Sequence, residues 1–311
     1  MFTLPHEINP LILKSEINQR LLLKLLFDAT AETLLEFGRG EFKGKVGFTL
    51  VLHTWDQQLR PHYHLHCLIA AGAIQESAAE KADRWIAGGR QFLFSVRALS
   101  KMFRGKFLAG LKQLFEQKSL DLPEDLTSIA ARRQLLKRLW KKPWVVYSKA
   151  PFAGPAKLLD YLSRYTHRVA IHNSRIIDCS DGKVTFSFRD RRDGDRRKQL
   201  TLPVGQFIGR FLTHVLPSRF MRIRHYGYLA NRFKQEWLTR IRVVIGAQPQ
   251  KNFTPEPADA WLKRVLGIDP DLCPKCGDLL IESPFPNQLS RPASVSRDRS
   301  QANASPRGPP T

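Results

Sequence analysis

Three histidines, His62, His64 and His66, alternate with Tyr63, Leu65 and Cys67 in the stretch PHYHLHCLIAAG. A strand repeats every two residues, so the imidazoles share one face and the apolar partners point to a core. Neighbouring same-face histidines then lie about 6.6 Å apart along the strand, close enough for two rings to converge on one metal ion. The outermost pair lie about 13 Å apart, and all three reach one ion only if the strand bends. Completed by an oxygen or amide ligand and water, the pair His64 and His66 suits Mg²⁺ or Mn²⁺ polarising a phosphate oxygen. Imidazole suits zinc as well, so the spacing leaves the metal open.

A second pattern is DYLSRYTHR, in which Tyr161 and Tyr165 are four apart and share one helix face. Two phenols beside Asp160, Arg164 and Arg168 suit two successive attacks on phosphodiesters. A phenol with a reference pKa of about 10 is a weak nucleophile at neutral pH and needs a polarised phosphate or a nearby base. The same spacing also describes a core-facing aromatic stripe. A third pattern, Cys273-Pro-Lys-Cys276-Gly, is half of a zinc site, for which Zn²⁺ is the expected ion; Cys179 or a histidine is a candidate to complete it, and a degenerate site is the alternative. A simple turn or a redox pair are the competing readings, although no thioredoxin-like context surrounds it.

Such side chains need elements to hold them. Apolar spacing predicts a helix over residues 15–37, starting at Ser15 and stopping at Gly38. Residues 46–55 and 63–70 read as an antiparallel strand pair, and 92–96 as a further strand. Helices are expected over 98–117 and 127–140, with a short strand at 144–148 and the tyrosine helix opening near Pro155. Strands at 168–172, 175–179, 184–190 and 198–203 follow, with Asp181-Gly182 as a hairpin turn. The fold class is α+β: a central antiparallel sheet with helices on one side and a basic helical C-terminal region. The expected domains are an N-terminal helical segment at 1–39 and a catalytic core at 40–202 with a helical insertion at about 98–141. A basic helical region with the cysteine knuckle at 203–282 and a disordered tail at 283–311 complete the chain.

The 311 residues carry a formal net charge of +22 with a pI near 10.3, and 42% are hydrophobic. That composition indicates a folded protein with an anionic partner, nucleic acid first. The surplus is local: residues 132–149 hold seven Lys/Arg and no acid, and 189–242 hold fourteen against four acids. Lys141, Lys142, Arg219, Arg222 and Arg224 are the candidate phosphate contacts there. No apolar run reaches the roughly 18 residues of a membrane span, and the first residues lack a signal-peptide layout. Four cysteines do not make a disulfide scaffold, so a cytosolic setting is expected.

Taken together, HTWDQQLRPHYHLHCLIAAG, YSKAPFAGPAKLLDYLSRYTHRVAI and FLTHVLPSRFMRIRHYG resemble the two-tyrosine rolling-circle transposases of bacterial insertion sequences, members of the HUH endonucleases. The resemblance covers roughly residues 1–280. It implies that His64-Leu65-His66 is the metal motif, with His62 matching a further family histidine, and that Tyr161 and Tyr165 are paired nucleophiles. It further implies a divalent ion, cleavage of single-stranded DNA at transposon ends and rejoining at a target through 5′-phosphotyrosine links. Arg164, His167 and Arg168 would contact neighbouring phosphates. His62, His167 and Gln57 are candidates for a third ligand, and His53 for packing or support of the ligands.

Two departures from the family pattern are expected to matter. Such transposases carry a cysteine-rich zinc-binding segment before TLPHEINP, and the sequence, with Met1 almost at that junction, resembles a family member without it; the tail breaks in composition after about Pro284. The same chemistry serves plasmid replication initiators and relaxases, and an inactive DNA-binding remnant is the reading from another class. A bacterial cytoplasmic, nucleoid-associated location follows from the resemblance.

Overall fold

The computed structural model describes residues 1–76, 82–89, 92–151, 170–190, 193–247 and 256–280. Backbone packing divides the chain into two units, Met1–Pro249 and Gln250–Thr311.

The first unit is built on a four-stranded antiparallel sheet of order β1-β3-β2-β9, made of β1 (Phe2–Thr3), β3 (Pro61–Ile69), β2 (Gly47–Trp55) and β9 (Ile223–Gly227). Helices α1 (Asn9–Leu13), α2 (Glu16–Phe42), α3 (Val96–Glu116) and α4 (Ile129–Lys141) supply the apolar side chains that cover it. Phe48, Leu50 and Leu52 of β2 and Tyr63 and Leu65 of β3 are buried in one core with Phe27 of α2 and Phe103 and Phe107 of α3. Every second residue of the paired strands therefore faces this helical layer, and the intervening residues face away from it.

Beside the sheet lie the hairpin β4 (Gly72–Gln75) and β5 (Arg84–Ala87), and a meander of β6 (Ile176–Ser180), β7 (Lys183–Asp190) and β8 (Arg196–Pro203). Helices α5 (Val204–Leu212) and α6 (Lys234–Val244) follow in the first unit, and α7 (Ala258–Leu266) lies in the second. Among the described residues no helix is long and apolar enough to cross a membrane. The architecture is the expected α+β arrangement.

Local signals account for much of it. The Ser15 hydroxyl accepts the Asn18 N–H at 3.2 Å and starts α2 where expected. Asp181 and Gly182, with φ of 48° and 68°, turn β6 into β7. Five expectations change. Helix α2 runs through Gly38 to Phe42, because Gly38 packs against Val46 instead of ending the helix: a Cβ there would lie 2.9 Å from both Val46 methyls. Residues 92–96 form no strand, since Ser95 caps α3 and Val96 opens it. The 144–148 stretch contributes a single bridge, Val146 to Phe2. The basic stretch expected to be helical supplies β9, which pairs with β2 from Gly47↔Gly227 to Val51↔Ile223. Arg168 and Val169 lie outside the described residues, and Ala170–His172 is irregular.

Candidate metal centre

With Phe48, Leu50 and Leu52 turned into the helical core, the β2 alternation sends Val51 and His53 to the opposite face. The same rule on β3 sends His62, His64 and His66 there. Register joins the two sets: His53 lies opposite His64, and Val51 opposite His66. Ring nitrogens of His53, His64 and His66 lie within 4.8 Å of one another, making them the one candidate metal-binding group of three or more His, Cys, Asp or Glu among the described residues. His62 stands next to this group, its ring centroid 4.8 Å from that of His64, but is not part of it.

The tautomer of His64 follows from its partner. Its Nδ1 lies 2.9 Å from the His62 carbonyl oxygen, which can only accept, so Nδ1 carries the proton and Nε2 the lone pair. That Nε2 is 3.2 Å from Nε2 of His66. Two imidazoles on one cation at ordinary metal–nitrogen lengths stand about 3.1 Å apart in octahedral and about 3.3 Å in tetrahedral geometry, so the spacing fits a shared cation of either kind. Burial, then the neighbouring His62 and His53, pushes the His64 pKa down to about 3. The ring is thus a neutral donor at physiological pH, the form that binds metal. His53 lies flat against Trp55, with centroids 4.9 Å and planes 13° apart, which fixes the third ring from behind.

The turn joining these strands is tied down at successive carbonyls. Arg175 donates to the Gln57 oxygen at 2.5 Å, Arg210 to Gln58 at 3.1 Å and His214 Nε2 to Leu59 at 3.1 Å. His214 Nδ1 in turn accepts from the Thr54 hydroxyl at 3.2 Å. Asp56 accepts the N–H groups of Gln58 and Arg60 from inside the turn. Leu59, left-handed at φ 60°, buries its side chain with Ala170, Ile171 and Phe186. Arg175, Arg210 and His214 come from three places in the sequence, and sequence reasoning did not assign them this role.

Tyr161, Tyr165, Arg164, His167 and Arg168 lie outside the described residues. The chain on either side of them is placed. Before them, Val146 bridges to Phe2 of β1, itself paired with Leu65, and Tyr147 N–H donates to the Met1 carbonyl. After them, Ala170 and Ile171 are buried beside Leu59, with Trp55 packed on the same cluster.

Among the basic candidates, Lys141 is exposed at the end of α4, and Arg219 is exposed in a left-handed turn at φ 61°. Lys142 pairs with Glu7 at 2.6 Å. Arg222 accepts the Leu52 N–H at its carbonyl. Arg224 sits on the helical side of the sheet, its guanidinium 4.1 Å over Phe27 and 5.2 Å over Phe220. Cys273 and Cys276 lie in the second unit as free thiols.

Residues 47–236 match the family model Y2_Tnp, described as "Putative transposase". The chain is 40% identical over 284 residues to "Putative transposase y4qJ" of Sinorhizobium fredii, covering 89% of this chain and 70% of that protein. It is 27% identical over 292 residues to "Transposase for insertion sequence element IS801" of Pseudomonas savastanoi pv. phaseolicola, covering 90% of this chain and 66% of that protein. No solved structure matches the chain. The matched span contains both strands of the histidine cluster, whose donor set suits a divalent metal and nuclease-like chemistry. The chain belongs to the Y2_Tnp family of two-tyrosine transposases, within the HUH type.

Proposed function

We propose that this transposase nicks and rejoins single-stranded DNA at transposon ends and target, with Tyr161 and Tyr165 as successive nucleophiles. The observation that carries this is the histidine cluster on the face of the sheet turned away from the helical core. Of the described residues flanking the tyrosines, Val146 bridges to β1, next to the His64 strand, and Ala170 and Ile171 pack on Leu59 at the tip of the same hairpin.

In each step the tyrosine Oη attacks phosphorus, the P–O3′ bond breaks, and the released 3′ oxygen takes up a proton. A 5′-phosphotyrosine link results, and a 3′ hydroxyl reverses the same exchange when it rejoins the strand. A divalent ion at the cluster supplies Lewis-acid polarisation of the phosphate and offsets its growing charge. His64 and His66 would hold that ion, with His53 as the third imidazole. His62 fixes the His64 tautomer through its carbonyl. Mg²⁺ and Mn²⁺ both serve phosphate chemistry, and of these two an imidazole-rich site takes Mn²⁺ more readily, because Mg²⁺ demands oxygen ligands and keeps its waters; imidazole suits zinc as well. Arg164, His167, Arg168, Lys141, Arg219 and Arg222 would hold flanking phosphates, while a DNA-contacting role for Lys142 and Arg224 requires release of their side chains from Glu7 and from Phe27 and Phe220.

The test is incubation of the chain with labelled single-stranded oligonucleotides of its element's own ends, with Mn²⁺, Mg²⁺ or chelator. A denaturation-resistant adduct is expected with metal, stronger with Mn²⁺, and absent in the Tyr161→Phe, Tyr165→Phe double variant. Adducts on a plasmid origin but not on element ends would replace transposition by replication initiation. DNA binding with no adduct on any strand would reject the enzyme.

A further inference from the structure

The second unit carries a feature that the nicking chemistry does not use. Around Cys273 and Cys276 the backbone closes a tight knuckle: Gly277 N–H donates to the Cys273 carbonyl and Cys273 N–H to the Asp278 carbonyl, both at 2.8 Å. Leu272 and Leu279 form the bridge behind it, and Gly277 turns the chain at a φ of 80° that side chains rarely adopt. The Cys273 sulfur accepts hydrogen bonds from the backbone N–H groups of Lys275 and Cys276 and from the Cys276 thiol. These hold its pKa below the usual thiol range. Two N–H groups aimed at one sulfur stabilise a thiolate, the form that binds a soft metal. Lys263 of α7 pairs with Asp269 at 3.0 Å and Asp271 at 3.4 Å, tying the helix to the knuckle.

A closed zinc site takes four ligands, and the described residues of this unit contain no further cysteine and no histidine. The apolar surface is also incomplete. Leu279 is 75% exposed and Leu280 54%, and Ile268 and Leu272 of the same unit are also open. A missing pair of ligands and an uncovered apolar rim next to it are both supplied by one occupant, the same knuckle of a second chain. We infer that Cys273 and Cys276 are half of a four-thiolate zinc site closed by the equivalent pair of a second copy. Two-fold symmetry places two pairs around one ion and buries the Leu279 surfaces against each other.

The experiment uses the full chain with His64→Ala and His66→Ala, which silences the histidine cluster as a competing site. Under reducing conditions it is titrated with Co²⁺ and then Zn²⁺, while the sulfur-to-cobalt absorption and the mass by light scattering are followed. The expected result is saturation at one ion per two chains, with the absorption of a four-thiolate tetrahedral site. Zinc displaces the cobalt. Cys273→Ser and Cys276→Ser each abolish the band, whereas Cys179→Ser keeps it. Saturation at one ion per chain, a band of two-thiolate strength, or no band would each overturn the inference. Because stoichiometry decides, a second interface elsewhere in the chain does not obscure the outcome.

Discussion

His53 and His64 stand opposite each other across the β2–β3 pair, their rings edge to face with centroids 5.4 Å apart. The two sit eleven positions apart in sequence, and the hairpin register alone brings them together. This pairing makes His53 a ligand candidate equal to the two histidines of the His64-Leu65-His66 motif. The account therefore expects His53→Ala to weaken Mn²⁺ binding about 100-fold or more, as His64→Ala and His66→Ala do, with cleavage falling in parallel. His62→Ala, whose backbone carbonyl remains, should cost less than about tenfold. Calorimetric Mn²⁺ titration of the four variants checks this, and a His62→Ala loss equal to the others would exchange the roles of His53 and His62.

The three donors on the β2–β3 turn should matter for positioning more than for folding. Replacing Arg210 or His214 by Ala removes one hydrogen bond to a turn carbonyl, at about 1–2 kcal/mol of stability. Since the same turn sets where His53 meets His64, the variants should show lower cleavage at saturating DNA with little change in DNA affinity. Single-turnover rates and binding curves separate the two effects. Equal losses in both would mean that the turn contacts DNA itself.

Glycines inside α2 give a test of opposite signs. Alanine at exposed Gly40, where a Cβ meets nothing within 4 Å, should stabilise by up to about 1 kcal/mol through helix propensity. Alanine at Gly38 meets both Val46 methyls and should destabilise by about 1–3 kcal/mol. Urea unfolding of both variants measures the difference. A stabilising Gly38→Ala would contradict the close packing of Gly38 on Val46.

Basic residues divide by what they touch. Arg224→Ala removes the cation over Phe27 and should cost about 0.5–2 kcal/mol of stability while leaving the salt dependence of DNA binding unchanged. Lys141→Ala, at an exposed helix end, should leave stability unchanged and lower the salt slope by about 0.7 for single strands. Affinities measured across a salt series discriminate the pair.

Much of the core was legible because local rules and tertiary structure agree. Leu99, Phe103, Phe107, Leu111 and Phe115 recur at helical spacing and are all buried. The alternation around His64 put the imidazoles on one face, as found. His53 carried the same signal, since it alternates out of phase with Phe48, Leu50 and Leu52, yet a lone histidine gains meaning only from its cross-strand partner. Strand β9 was hidden for a different reason. Its five residues, Ile223–Gly227, sit in an arginine-rich stretch, and their partner strand lies over 170 positions upstream. The turn donors were illegible for the same reason, because Arg175, Arg210 and His214 converge only through the packing of the meander and α5 on the hairpin tip.

Whether Tyr161 and Tyr165 become joined to DNA is read by mass spectrometry of the trypsin-digested adduct. Cleavage after Lys157, Arg164 and Arg168 separates the two residues into different peptides, 158–164 with Tyr161 and 165–168 with Tyr165. The expected result is a nucleotide attached through phosphate to one or both of these peptides and to no other. A nucleotide found on Tyr147, Tyr226 or any other residue, with both peptides unmodified, would contradict it.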